Sequence, residues 1–115
     1  PQRPADERFA AVVAYIDRHA TEALSVAELS ARFGYDESYF CRRFKRATGL
    51  SLLKYVEILR LEAAQEALRR TNAPVGQIAL QCGFGDPCYF SSRYRRHFGV
   101  RPSEERSVNG TSSQK

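Results

Sequence analysis

Apolar residues fall at helical spacing through most of the chain, and the pattern comes in two matching blocks. Val26, Leu29 and Phe33 share one helical stripe, as do Val75, Ile78, Ala79 and Cys82. A second stripe follows in each block, Phe40 with Phe44 and Phe90 with Tyr94, both at i and i+4. The agreement extends to the letters: residues 34–46 read GYDESYFCRRFKR, and residues 83–96 read GFGDPCYFSSRYRR, with one residue inserted after the glycine. Aligning Val26 with Val75 also sets VAELSARFG over VGQIALQCG, and beyond the insertion Gly49 falls on Gly99. Such repetition is the mark of one supersecondary unit used twice.

Local signals bound the helices. Ser25 followed by Glu28, and Asn72 followed by Pro74, read as caps at the start of each block. Gly34 and Gly83 end the short helices, where a left-handed residue without a side chain costs least. Second helices are predicted over 37–48 and 86–98. Between the blocks, SLLKYVEILRLEAAQEALRRT places Leu52, Tyr55, Val56, Leu59, Ala63, Ala67 and Leu68 in helical register and is rich in Leu, Ala, Glu and Arg. It reads as one continuous helix. About 19 residues at roughly 1.5 Å each span close to 28 Å, against the roughly 34 Å between successive turns of a DNA groove. The opening DERFAAVVAYIDRHA is amphipathic, with Phe9, Val12, Val13 and Ile16 closing the first core. The fold class is all-α, with a first helix-turn-helix subdomain over 5–50, a linker helix over 51–71, a second subdomain over 72–106 and a disordered tail over 107–115.

A chain of 115 residues accommodates this plan, and its apolar content suffices for a core. No apolar run approaches the roughly 20 residues of a membrane span, and no signal segment opens the chain, so no membrane partner is expected. Cys41, Cys82 and Cys88 are odd in number and contain no CxxC pair, which suggests a reducing compartment and a cytoplasmic protein. No metal site or cofactor is expected, because His19 and His97 lack ligand partners at useful spacing.

The net charge of +5 decides little until it is placed. Arg42, Arg43, Lys45 and Arg46 cluster in the first block, and Arg93, Arg95, Arg96 and Arg101 in or just after the second. Opposite the apolar stripe of the first recognition helix lie Ser38, Cys41, Arg42 and Lys45; Cys88, Ser91, Ser92 and Arg95 occupy the same places in the second. A short helix, a glycine turn and a helix presenting small polar and arginine residues is the arrangement that enters a DNA major groove. A solvated basic face on a helical pair is the plainer alternative. Two copies with the same face on the same helix favour nucleic acid.

The chain from Phe9 to Arg106 resembles the AraC/XylS family of bacterial transcription regulators, most densely over RLEAAQEALRRTNAPVGQIALQCGFGDPCYFSSRYRRHFGVRPSEE. The resemblance implies about seven helices, two helix-turn-helix subdomains joined by a long linker helix, and double-stranded DNA as the partner. It assigns base contacts to Ser38, Cys41, Arg42, Cys88, Ser91 and Ser92. Arg42 stands where a guanidinium chelates guanine O6 and N7. Phosphate contacts fall to Arg43, Lys45, Arg46, Arg93, Arg95 and Arg96, with amides at helix N-termini assisting. It further implies RNA polymerase as a partner of an activator, and an effector or dimerisation domain missing from a chain that opens on Pro1.

Three departures from the family pattern stand out. Ser92 replaces the usual arginine, Leu52 replaces the proline that opens the linker helix and so changes that helix's entry, and Glu105 replaces an aromatic residue, leaving the last helix less anchored.

The alternative reading is a basic helical protein-interaction module docking an acidic partner such as an RNA polymerase subunit. An enzyme is disfavoured: Ser91 and Ser92 have a histidine at 97 but no carboxylate or glycine elbow, and in GFGDPC Cys88 sits where a third phosphate-loop glycine belongs. With Ser92 in place of arginine, selection from random duplexes should give a sharper sequence logo for the half read by 37–48. Equal sharpness in both halves would overturn that ranking.

Overall fold

The computed structural model describes residues 3–106, and every regular element among them is helical. Helix α1 (Arg3–His19) sets Phe9, Val12 and Ile16 on one stripe, all three buried. Helix α2 (Val26–Phe33) starts where the Ser25 hydroxyl accepts from the Glu28 amide at 3.0 Å. It stops at Gly34, whose φ of 78° is cheap only without a side chain. There the Gly34 amide donates to the Ala31 carbonyl (3.2 Å) and the Tyr35 amide to the Ser30 carbonyl (2.8 Å), satisfying two of the carbonyls at the helix end.

Helices α3 (Glu37–Thr48), α4 (Leu52–Arg70), α5 (Val75–Gln81) and α6 (Pro87–Phe98) follow, and a seventh, α7, runs over 102–106. The turn after α5 repeats the turn after α2: Gly83 donates to Leu80 (3.1 Å) and Phe84 to Ala79 (2.9 Å), with Gly83 at φ 100°. The inserted residue, Gly85, comes after these bonds and leaves them intact. The chain divides into two compact units within α4, between Leu59 and Arg60. The tail expected over 107–115 lies outside the described residues. Among the described residues, no helix is long and apolar enough to cross a membrane.

In the first unit Phe40 and Phe44 of α3 are fully buried, and Phe9 packs with ring centroids 5.7 and 6.2 Å from theirs. Leu29 from α2 and Leu52 and Val56 from α4 complete the cluster. Each such ring removed from water contributes about 1.5–3 kcal/mol. In the second unit Phe90 and Tyr94 take the same places among Ile78, Ala79, Cys82 and Phe84, with Leu61, Ala64 and Leu68 from α4.

Four expectations need correction. Asn72 caps nothing: α5 begins after Pro74 without a side-chain cap, and Thr71 Oγ1 instead accepts from the Ala73 amide at 3.3 Å. Pro74, extended at ψ 145°, already fixes the start, and Asn72 lies two residues too early. Leu52 does not disturb the start of α4, because the Ser51 hydroxyl accepts from the Lys54 amide (3.2 Å) and Leu52 is itself buried. Along α4 the second unit buries Leu61 and Ala64, while Leu59 and Ala63 are only half-buried. Val56 to Leu61 is a step of five, out of phase with a single 3.6-residue stripe.

The fourth correction concerns Glu105, which anchors α7 rather than loosening it. Its carboxylate is buried and accepts from Tyr94 Oη (2.9 Å), Gln65 Nε2 (3.2 Å) and Arg69 Nε (2.9 Å). Arg106 adds bonds from Nε to the Leu68 carbonyl (3.3 Å) and from Nη2 to the Thr71 carbonyl (2.9 Å), capping the end of α4. In the register of the repeat, Glu105 corresponds to Tyr55, as Tyr94 does to Phe44. In the first unit Tyr55 sets its ring edge-on to Phe44 at 5.1 Å and donates its hydroxyl to Asp17 Oδ1 at 2.6 Å. An aromatic contact in one unit is thus replaced by a hydrogen-bonded pair in the other.

Burial alone would raise the Glu105 pKa, but the bonds from Gln65, Tyr94 and Arg69, with the Arg69 charge, outweigh it and hold the carboxyl below its ordinary range. Burial, reinforced by the bond to Glu105, pushes the Tyr94 hydroxyl up, so it stays a donor. A depressed carboxyl contributes stability that is fully present above its unfolded pKa and is lost as pH falls through the folded value. Glu105→Gln is therefore expected to cost about 1–3 kcal/mol at neutral pH. It should also remove part of the loss that the parent shows below about pH 4. Urea unfolding at neutral and acid pH checks both.

Candidate nucleic-acid interface

Both recognition helices start at an aspartate. Asp36 Oδ2 accepts from the Ser38 (3.1 Å) and Tyr39 (3.3 Å) amides, and Asp86 Oδ1 accepts from the Cys88 amide (2.9 Å), with Pro87 in the first helical turn of α6. These caps hold the first turns, and they occupy amides that the sequence reading offered to phosphates. The carboxylates also place negative charge at the positive ends of the helices.

Ser38, Cys41, Arg42, Lys45 and Arg46 are exposed on α3, opposite buried Phe40 and Phe44. On α6 Cys88, Ser92, Arg95 and Arg96 are exposed and Ser91 is half-buried, opposite Phe90 and Tyr94. The two faces agree in exposure except where half-buried Ser91 answers exposed Cys41, and each unit brings its own six candidates onto one helix. Arg43 and Arg93 differ from the rest. Both are half-buried, with Arg43 Cζ 5.0 Å from the Phe9 ring centroid and Arg93 Cζ 5.8 Å from that of Tyr89. Their stems cover apolar surface, so these arginines serve packing as well as charge.

Two features escaped the sequence reading. Tyr39 and Tyr89, in register with each other, are 42% and 50% exposed at the edges of the two faces. Tyr39 stacks on Tyr35 with centroids 5.6 Å apart, and Tyr89 lies 6.4 Å from Phe84. Their identity across the repeat was the available signal, although each stands beside a buried ring, Phe40 or Phe90, and off its stripe. The second feature is a shallow hollow in the second unit lined by Ser91, Ser92, Arg95, Arg96 and Arg101. Among the described residues, no group of three or more His, Cys, Asp or Glu could hold a metal ion.

Each unit is thus a helix-turn-helix with an outward basic face on its second helix. Residues 29–107 match the family model described as "Helix-turn-helix domain". The transcriptional activator RhaS of Escherichia fergusonii is 36% identical over 109 residues, which are 95% of this chain and 39% of that protein. The chain therefore spans about two fifths of such a relative. An AraC-type transcriptional regulator from Chromobacterium violaceum superposes with a TM-score of 0.81 at 32% identity, covering 93% of this chain and 96% of that one. The DNA-binding domain of AdpA, solved in complex with a target DNA, gives 0.85 at 30% identity, covering 92% and 96%. The chain belongs to the AraC-type helix-turn-helix family.

Because Asp36 holds two amides of α3, Asp36→Ala is expected to destabilise the first unit by about 1 kcal/mol. Thermal unfolding followed by circular dichroism checks this. An unchanged midpoint would mean that the cap is redundant with the packing of Phe40.

Proposed function

We propose that this chain is the sequence-specific DNA-binding module of a bacterial transcription regulator, acting in the cytoplasm. The observation that carries the proposal is the recurrence, on two helices in register, of an exposed arginine-bearing face backed by a fully buried aromatic pair. Membership of the family, and the DNA complex of AdpA, support it. Ser38, Cys41 and Arg42 read bases from α3, and Cys88, Ser91 and Ser92 do so from α6. Arg43, Lys45, Arg46, Arg93, Arg95 and Arg96 meet phosphates.

Arginine supplies a rigid fork of donors that matches guanine O6 and N7, so Arg42 is the strongest single reader. The two hydroxyls and one thiol on the face of the second unit favour thymine methyl contacts and groove shape. The two recognition helices enter adjacent major-groove segments. A sensing or dimerisation domain elsewhere in the full protein, and contact with RNA polymerase, complete the reading; the share of RhaS that the chain covers leaves room for the former. Catalysis has no part in it.

Arg42→Ala is expected to cost about 1–3 kcal/mol on the preferred duplex, with little change on duplexes altered at the matching guanine. Fluorescence anisotropy titrations of both duplexes test this. Equal affinity of variant and parent for the preferred site would remove Arg42 from readout, and a parent chain that selects nothing from random duplexes would overturn the proposal itself.

A further inference from the structure

We infer that Arg101 is an additional contact to the DNA backbone, taking a phosphate beside Arg95 and Arg96 at the hollow on α6; this rests on the DNA-binding reading above. The hollow belongs wholly to the second unit. Ser91, Ser92, Arg95, Arg96 and Arg101 form its walls, so two hydroxyls and three guanidiniums share one concave surface. A phosphodiester has one negative charge and two free acceptor oxygens, which the paired donors of a guanidinium match.

Arg101 stands on a fixed base. Its backbone amide donates to Glu104 Oε1 at 2.8 Å, which turns that carboxylate toward the main chain, and Pro102 beside it is buried. The first unit provides an internal comparison. In the register of the repeat Arg101 corresponds to Ser51, whose hydroxyl is engaged in capping α4, and Ser92 corresponds to Arg42. The first unit therefore has its guanidinium on the helix face and a serine in the following turn; the second has the reverse. Moving the cation from the face to the turn takes it off the base-reading stripe and sets it at the rim. Ser92, being small, leaves open the space between them.

The test is the affinity of the full chain for a preferred duplex and a scrambled one, measured across a salt series. One phosphate contact releases about one counterion, so Arg101→Ala is expected to weaken binding to both duplexes roughly fivefold near physiological salt and to lower the log–log salt slope by about 0.9. Arg101→Lys keeps the charge and is expected to restore the slope. Three results would overturn the inference: an Arg101→Ala protein with the parent's affinity and slope, a loss confined to the preferred duplex, or a lysine that fails to restore the slope. All three leave the DNA-binding reading standing. A parent chain that binds neither duplex at low salt would overturn that reading, and this inference with it.

Discussion

Phe40 and Phe44 on α3, and Phe90 and Tyr94 on α6, have no exposed surface, and each pair is spaced one helical turn apart. A helix held by two rings on one stripe cannot roll about its axis without exposing both, and each ring exposed costs about 1.5–3 kcal/mol. Burial on one side therefore fixes direction on the other. Ser38, Cys41, Arg42 and Lys45 face outward because Phe40 and Phe44 face inward, and the same holds fifty residues later. The glycine turns and aspartate caps set where each helix begins, while the rings set which way it points.

The parts of this structure that were legible in the sequence are those decided within a few residues. The Ser25 cap, the glycine stops, the i, i+4 ring pairs and the extents of α3 and α6 all depend on near neighbours, and the repeat supplied each of them twice. What escaped depends on partners far along the chain. Glu105 reads as a weakness until Gln65 and Arg69, about forty residues earlier, are seen to meet it. The buried positions of α4 follow from which core each half of the helix joins, which a single periodicity does not record. The basic face was legible as a set of residues. The turning back of Arg43 onto Phe9 was not, because nothing local brings residue 9 beside residue 43.

The two units share a scaffold and differ in where chemistry is placed on it. Buried positions keep their place in the core through changes of side chain, Leu29 against Ile78 and Phe44 against Tyr94, whereas some exposed positions exchange charge: arginine at 42 against serine at 92, serine at 51 against arginine at 101. Packing constrains volume and shape within about a methylene, and solvent-facing positions carry no such limit. Divergence of surface over a conserved core is what that asymmetry produces.

One interior difference involves two positions at once. Phe44 meets the ring of Tyr55, whereas Tyr94 donates its hydroxyl to Glu105. Copying α3 over α6 would put phenylalanine opposite Glu105 and remove one of the donors to a buried carboxylate; the reverse copy would bring an extra hydroxyl against an aromatic ring. Short exchanges of sequence between the two halves of the gene would thus be penalised unless both partners moved together. The pair acts as a barrier to homogenisation, and behind it the two halves are free to keep different surfaces.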